Sequence, residues 1–391
     1  MAQRRGSGED SIYKDGDRWR GAISLGHRPD GTRQRVKVTG RTRSEVVQKL
    51  RDVRKAVESG LPAPDGRLTV GTFLDRWLSV NMPGRVAQST LDGYEDTVRL
   101  HLKPALGACL LTNLSVSDVD ALWQDKRDAG YRPNSIRIMR AVLRKAIGQA
   151  EREGLVARNV AALSAAPHID QPEGRSLTIE QARTLLDAVA EHRLGLCIEL
   201  MLSYGLRRGE ALGFRWQDFD PERAILGARQ GVKRVKARGE AETKTVITVG
   251  TLKTSRSRRD LTLTPHLVDA LKRHRAVQAE ERIAAGPLWQ DWDLIFPSLV
   301  GSPHDPDNFS HAFNQICIDA GLGHWHPHEL RHSGASLMLA QGTTLHVVSE
   351  ILGHSSIAIT KDIYGHLVEG EKRTAATAMS EALTARPATS P

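Results

Sequence analysis

Two short stretches bearing proline and glycine interrupt the hydrophobic periodicity of this chain: Leu61-Pro62-Ala63-Pro64-Asp65-Gly66 and Pro167-His168-Ile169-Asp170-Gln171-Pro172-Glu173-Gly174. Proline removes a backbone donor and glycine loosens the backbone, so both stretches read as linkers rather than as the interior of a helix or a central strand. A chain of 391 residues is long enough for the three resulting parts each to bury a core of its own. Internal repeats at a solenoid period are absent, and only Ala385 to Pro391 has the composition of a disordered tail.

The first part is basic, with 15 Lys/Arg against 8 Asp/Glu in residues 1–60. Arg18-Trp19-Arg20-Gly21-Ala22-Ile23-Ser24-Leu25, the turn Arg28-Pro29-Asp30-Gly31 and Arg33-Gln34-Arg35-Val36-Lys37-Val38 form a hairpin signature. Side chains alternate across a strand, so Trp19, Ile23, Val36 and Val38 share one face while Arg18, Arg20, Arg33, Arg35 and Lys37 take the other. Thr42-x-x-Glu45 has the form of a capping box, and Val46, Leu50, Val53 and Val57 in the helix it opens would cover the apolar face. The remaining sheet face is then strongly basic, of the kind that can lie in a DNA major groove; the plainer reading is a solvated face.

The second part is helical. After Pro133, Ile136, Met139, Leu143, Ala146, Ile147 and Ala150 recur at helical spacing, and Arg137, Arg140, Arg144 and Lys145 line the rest of that helix as candidate phosphate contacts. The third part mixes patterns: helices are expected over 177–190, 198–212 and 328–340, the last capped by Gly342, and hairpin strands over 229–263. The segment 289–297 fits either state. Arg229–Arg259 holds 10 Lys/Arg against Glu240 and Glu242, so the formal charge of +9 sits mainly here and in the first part. Charge gathered this way points to separate surfaces that track phosphates.

Cutting and rejoining a phosphodiester without metal or nucleotide needs a nucleophile, positive groups at the non-bridging oxygens, and an acid for the leaving oxygen. Arginine suits the second task, because its planar fork stays charged and matches two phosphate oxygens. Arg207 lies in Ser203-Tyr204-Gly205-Leu206-Arg207-Arg208-Gly209-Glu210; if a helix runs through it, Glu210 shares its face and orients the guanidinium. Arg331 lies in His328-Glu329-Leu330-Arg331-His332, where His328 and Arg331 share a helix face. The cluster His324, His326, His328 and His332 raises a zinc reading, against which stand Pro327 and the lack of a nearby cysteine. Downstream come Leu352-Gly353-His354 and, ten residues after His354, Tyr364-Gly365-His366.

Taken in order, Arg207 in G-L-R-x-x-E, His328 and Arg331 in H-x-x-R, His354 in L-G-H and the final Tyr364 resemble the active-site set of the tyrosine recombinases, the phage integrase family. Tyr94, Val98, His101-Leu102, Pro104, Leu106-Gly107, Leu114 and Asp118-Val119 are similar to that family's helical core-DNA-binding domain, and the first part resembles the arm-type domain of lambda-type integrases. The resemblance implies a multidomain, mainly α protein with small β-sheets. It comprises an arm-type domain at 1–61 (a three-stranded sheet plus helix), a helical core-binding domain at 69–166, a mixed α/β catalytic domain at 175–372, and a C-terminal helix and tail at 373–391. It further implies that Arg207, His328, Arg331 and His354 surround the scissile phosphate, with Glu210 in support. Tyr364 attacks to form a 3′-phosphotyrosyl link and a free 5′-hydroxyl. His328 is the expected proton acceptor and His354 a donor to the phosphate. The family's general acid, a lysine on a β-hairpin, matches Lys253, with Lys244 in Thr243-Lys244-Thr245 the competing choice. Tyr204 stands where many members have threonine, and the stretch from Arg229 to Lys253 is longer than usual.

The partners so implied are double-stranded DNA at core- and arm-type attachment sites, a homotetramer assembled on it, a DNA-bending host factor and an excisionase. Alternative readings are a Xer-like dimer resolvase or type IB topoisomerase, and a DNA-binding regulator that kept only the fold. No cofactor is expected: G-x-x-x-x-G-K-[ST] is absent, and Cys109, Cys197 and Cys317 are too far apart for C-x-x-C chemistry. No apolar run approaches a membrane span, since even Leu194–Leu202 carries Glu199, and the polar N-terminus has no signal core. A cytoplasmic, nucleoid-associated protein in a bacterial host is therefore expected.

Overall fold

The computed structural model describes residues 11–27, 31–58, 67–165, 174–237, 244–252, 255–365, 377, 379 and 380. The chain packs as two units, Met1–Asp170 and Gln171–Pro391.

In the first unit, β1 (Ser11–Asp15), β2 (Arg18–His27) and β3 (Arg33–Gly40) form an antiparallel sheet in the order β1-β2-β3, followed by α1 (Arg43–Glu58). Ile23 pairs with Val36 and Gly21 with Val38, which turns Trp19, Ile23, Val36 and Val38 toward Val46, Leu50 and Val53 of α1. The opposite parity carries Arg18, Arg20, Arg35 and Lys37, all exposed. The side chain of Arg33 lies outside the described residues. Thr42 Oγ1 accepts the Glu45 N–H at 3.2 Å, and the Glu45 carboxylate accepts the Arg41 N–H at 2.8 Å. The capping box thus closes one residue earlier than its usual reciprocal form.

Also in this unit are α2 (Val70–Arg76), α3 (Gln88–Thr97), α4 (Lys103–Leu106), α5 (Val116–Asp128), α6 (Pro133–Arg152) and α7 (Val160–Leu163), with wider π turns after α2 and α3. Pro133 opens α6 where its missing N–H costs nothing. The stripe Ile136, Met139, Leu143, Ala146, Ile147 and Ala150 is buried against Phe73, Trp77, Leu102 and Trp123. The polar side of α6 is less uniform than its sequence suggests. Arg140 donates to Ser164 Oγ at 3.2 Å and to the carbonyls of Ala162 and Ser164 at 3.1 and 2.6 Å, satisfying the end of α7.

The second unit contains α8 (Ile179–Ala188), α9 (Gly195–Tyr204), α10 (Arg208–Ala211), β4 (Phe219–Asp220), β5 (Ile225–Ala228), β6 (Gln230–Lys236), β7 (Thr245–Thr251), β8 (Arg259–Thr262), α11 (Pro265–Ala285), α12 (Pro306–Asp319), α13 (Pro327–Ala340), α14 (Leu345–Leu352) and α15 (Ile357–Tyr364). The strands form an antiparallel sheet β4-β5-β8 and a separate hairpin β6-β7. The segment 289–297 is neither helix nor long strand; it is held by isolated bridges, Arg215 to Leu294 and Pro297 to Pro303. Nearly continuous apolar character buries α9 at the centre, with Cys197, Ile198, Leu200 and Met201 fully covered. Helix α13 crosses it so closely that a Cβ on Gly334 would lie 2.2 Å from the Leu202 carbonyl oxygen. A methyl group at that crossing forces the two helices apart. We expect Gly334→Ala to lower unfolding free energy by about 1–3 kcal/mol, read as a lower urea midpoint at unchanged slope.

Candidate active site

The predicted helix over 198–212 breaks in the middle, and the break builds the site. Helix α9 ends at Gly205, whose φ of +56° is left-handed and whose Cα faces the Leu352 side chain and the Arg331 carbonyl so closely that a Cβ there would meet Leu352 Cδ2 at 2.4 Å. Arg207 is therefore not inside a helix. It is the extended N-cap of α10, with φ −72° and ψ 143°. Glu210, three residues on, accepts the Arg207 backbone N–H at 3.3 Å and the Arg207 guanidinium at 2.7 Å. The Arg–Glu pairing expected for a continuous helix arises instead from helix initiation.

Glu210 is 3 % exposed, and its second oxygen accepts from Arg259 at 3.1 Å. Burial alone would raise its pKa; Arg259, Arg207 and Arg331 more than offset that and hold it below the usual carboxylate value. Arg259, from β8, also donates to the Ile351 carbonyl at 2.5 Å. Arg331, on the second turn of α13 and 3 % exposed, donates to the carbonyls of Gly205 at 2.7 Å and Leu352 at 2.8 Å, tying the ends of α9 and α14 together. Burial and the nearby Arg207 pull its pKa down to about 9, which still leaves it charged at neutral pH. Arg207 and Arg259 thus share one carboxylate while Arg331 stands near both of them, a neighbourhood that an anion would complete.

His354 follows the left-handed cap of α14 at Gly353, and its Nδ1 pairs with the buried Thr360 hydroxyl at 2.7 Å. Burial, together with Arg331, Arg207 and Arg259, lowers its pKa to about 4, so the ring is neutral. An open cleft of about 630 Å³ adjoins it, lined by Arg256, Arg259, Glu350, Gly353, His354 and Ser356. Tyr364, at the end of α15 and one turn after Thr360, is 4 % exposed and packs on Ala335, Leu339, Val348 and Leu352. Burial raises its pKa to about 12, with Arg331 acting in the opposite direction. Its hydroxyl meets Nδ1 of His332 at 2.8 Å. His328, the proton acceptor expected from sequence, instead meets the His332 ring edge-on at 5.0 Å.

Arg207, His328, Arg331, His354, Tyr364 and Glu210 are thus gathered at the junction of α9, α10, α13, α14 and α15. Sequence reasoning left Arg259, His332 and Thr360 without roles. The i,i+4 spacing of Thr360 and Tyr364 and the adjacency of His332 to Arg331 were the available signals. Lys253 lies outside the described residues; Lys244 is exposed at the foot of β7. On α6, Arg137 and Arg144 are exposed, Arg140 is used inside the fold, and Lys145 lies over the Tyr94 ring at 5.0 Å with a hydrogen bond to its hydroxyl at 3.2 Å. Among the described residues, no three His, Cys, Asp or Glu side chains are placed to hold a metal ion, and no helix is long and apolar enough to cross a membrane.

Residues 175–371 match the model of the phage integrase family, and residues 69–126 match the phage integrase N-terminal SAM-like domain. The chain belongs to the phage integrase family, the tyrosine recombinases, whose members cleave and rejoin DNA through a tyrosine. It is 32% identical over 386 residues to an integrase of Streptomyces ambofaciens, covering 97% of each chain. In fold it is similar to the Tn1549 transposon integrase solved with a circular intermediate DNA, with a TM-score of 0.67 at 18% identity over 80% of this chain and 99% of that one. A lambda integrase tetramer bound to a Holliday junction matches 92% of this chain and 96% of that one, with a TM-score of 0.57 at 18% identity.

Removing the shared carboxylate leaves Arg259 buried without its partner. Glu210→Gln should cost about 3 kcal/mol of stability at pH 7, the scale for breaking a buried ion pair. Because the folded pKa of Glu210 lies below its ordinary value, its stabilisation is complete above about pH 4.5 and is lost as pH falls through the folded value. Urea titrations below pH 4.5 should therefore show wild type and variant converging.

Proposed function

We propose that the chain is an integrase that inserts and excises a mobile DNA element by site-specific recombination. Tyr364 is the nucleophile, and Arg207, Arg331 and His354 hold the scissile phosphate. The observation that carries this reading is a buried tyrosine, Tyr364, under the influence of Arg331, which itself neighbours Arg207 and Arg259, the pair that shares the Glu210 carboxylate.

In the first step the Tyr364 oxygen attacks phosphorus as its proton passes to a non-bridging oxygen of the same phosphate, forming the P–O bond to tyrosine as the P–O5′ bond breaks; that proton later restores the lysine that protonates the 5′ oxygen. The departing 5′ oxygen takes a proton from a lysine of the β6-β7 region, for which Lys253 is the assignment and Lys244 the alternative. The guanidiniums neutralise charge that grows on the non-bridging oxygens. His354, with Nδ1 occupied by Thr360, is left to donate from Nε2. A 5′-hydroxyl from a second duplex reverses the chemistry, so the phosphotyrosine conserves the bond energy without ATP.

Residues 1–61 serve as the arm-type domain. They present Arg18, Arg20, Arg35 and Lys37 to arm sites, while Arg137 and Arg144 of the core-binding domain contact phosphates of the core site. Four copies assemble on two attachment sites in the bacterial cytoplasm, with the segment 373–391, of which only 377, 379 and 380 are among the described residues, passing between neighbours, aided by a bending factor and, for excision, an excisionase. The extra basic domain favours this reading over a Xer-like resolvase, which usually consists of the two later domains alone.

Incubated with a nicked suicide duplex, Tyr364→Phe should bind as wild type does and form no SDS-resistant complex; an adduct with that variant removes Tyr364 from its role. Deleting residues 1–61 should preserve core-site cleavage and abolish integration between arm-bearing attachment sites in a plasmid assay. Unchanged integration by the truncated protein supports a simpler, Xer-like enzyme.

A further inference from the structure

We propose that His332 is a positioning residue for the nucleophile, its Nδ1 accepting the Tyr364 hydroxyl hydrogen and so fixing which lone pair the attacking oxygen presents. The proposal rests on the assignment of Tyr364 as nucleophile. The contact is 2.8 Å, with the two ring centroids 5.8 Å apart. Burial of Tyr364 leaves its hydroxyl little water to pair with, so the orientation of the O–H is set by this nitrogen.

The imidazole is itself held from two directions. On one side stands His328, ring edge to ring face at 88°. Gly174 lies on another, so near that a Cβ there would lie 3.3 Å from Nδ1 and 3.5 Å from Cγ. The residues after Gly174 are pinned to the start of α13. The Arg175 guanidinium lies 3.9 Å over the Trp325 ring, pairs with Glu329 at 3.5 Å and donates to the His324 carbonyl, while the Leu177 N–H donates to Ser333 Oγ at 2.9 Å. A methyl group at Gly174, on this strap, would touch the ring, slightly tight at Nδ1 and at ordinary contact distance from Cγ.

An Nδ1 acceptor requires a neutral ring protonated on Nε2. Burial and the adjacent Arg331 favour the neutral form by lowering the pKa of His332, with Glu329 opposing them. The titratable groups near this ring are His328, Glu329, Arg331, His354 and Tyr364. His328, at the outer side of the ring, is then available to the phosphate rather than to the tyrosine.

The test uses the full-length protein and single-turnover cleavage of a nicked suicide duplex. An asparagine amide carries its polar atom where Nδ1 stands, whereas glutamine places it nearer Nε2. His332→Asn should cleave within about threefold of wild type, while His332→Gln and His332→Ala should be about tenfold slower or more, the scale of one well-placed hydrogen bond. DNA affinity and urea midpoint should be alike for the Asn and Gln variants. Equal rates for the Asn and Gln variants would overturn the proposal. An adduct formed by Tyr364→Phe would signal failure of the underlying nucleophile assignment instead, so the two outcomes are separable.

Discussion

Like charges repel by about 4 kcal/mol at 4 Å for an effective dielectric near 20, so arginines gather in a protein interior only where something neutralises them. Here the neutralising group is the Glu210 carboxylate, one oxygen on Arg207 and the other on Arg259. Arg331 is held differently, by two backbone carbonyls that become available because α9 ends at Gly205 and α14 ends at Leu352. Helix ends, with their unpaired carbonyls and partial negative charge, thus do part of the work a second carboxylate would otherwise do. The site keeps a surplus of positive charge, which suits the phosphodiester of the proposed reaction.

That arrangement also explains why the proposed nucleophile sits where it does. Tyr364 shares a small apolar cluster with Leu352, and Leu352 supplies the carbonyl that holds Arg331. Displacing α15 would therefore disturb both the tyrosine and the arginine. The same helix carries Thr360, which orients His354, so one eight-residue element sets two of the site's groups.

Much of this was legible in the sequence, because strand alternation and helical spacing follow directly from which residues must be buried. The sheet face bearing Arg18, Arg20, Arg35 and Lys37 and the stripe along α6 are of this kind. The order of Arg207, His328, Arg331, His354 and Tyr364 pointed to the site through family resemblance rather than through periodicity. Tertiary detail was out of reach. Nothing local distinguishes Arg140, spent on the carbonyls of α7, from exposed Arg144 one turn away. The break at Gly205 was hidden within a run that reads as one helix, since a single glycine costs a helix little unless a neighbouring chain presses on it. His332 was overlooked as the tyrosine's partner because His328 and His332 lie one turn apart, and only the packing of α15 and the Gly174 strap decides between them.

The central claim is that covalent chemistry passes through one side chain. Trapping the wild-type protein on a nicked suicide duplex, digesting it with trypsin and nuclease, and sequencing the nucleotide-bearing peptide by mass spectrometry tests this directly. The account predicts a phosphotyrosyl nucleotide at Tyr364, joined through the 3′ phosphate. A nucleotide on any other residue, or joined through a 5′ phosphate, would contradict it.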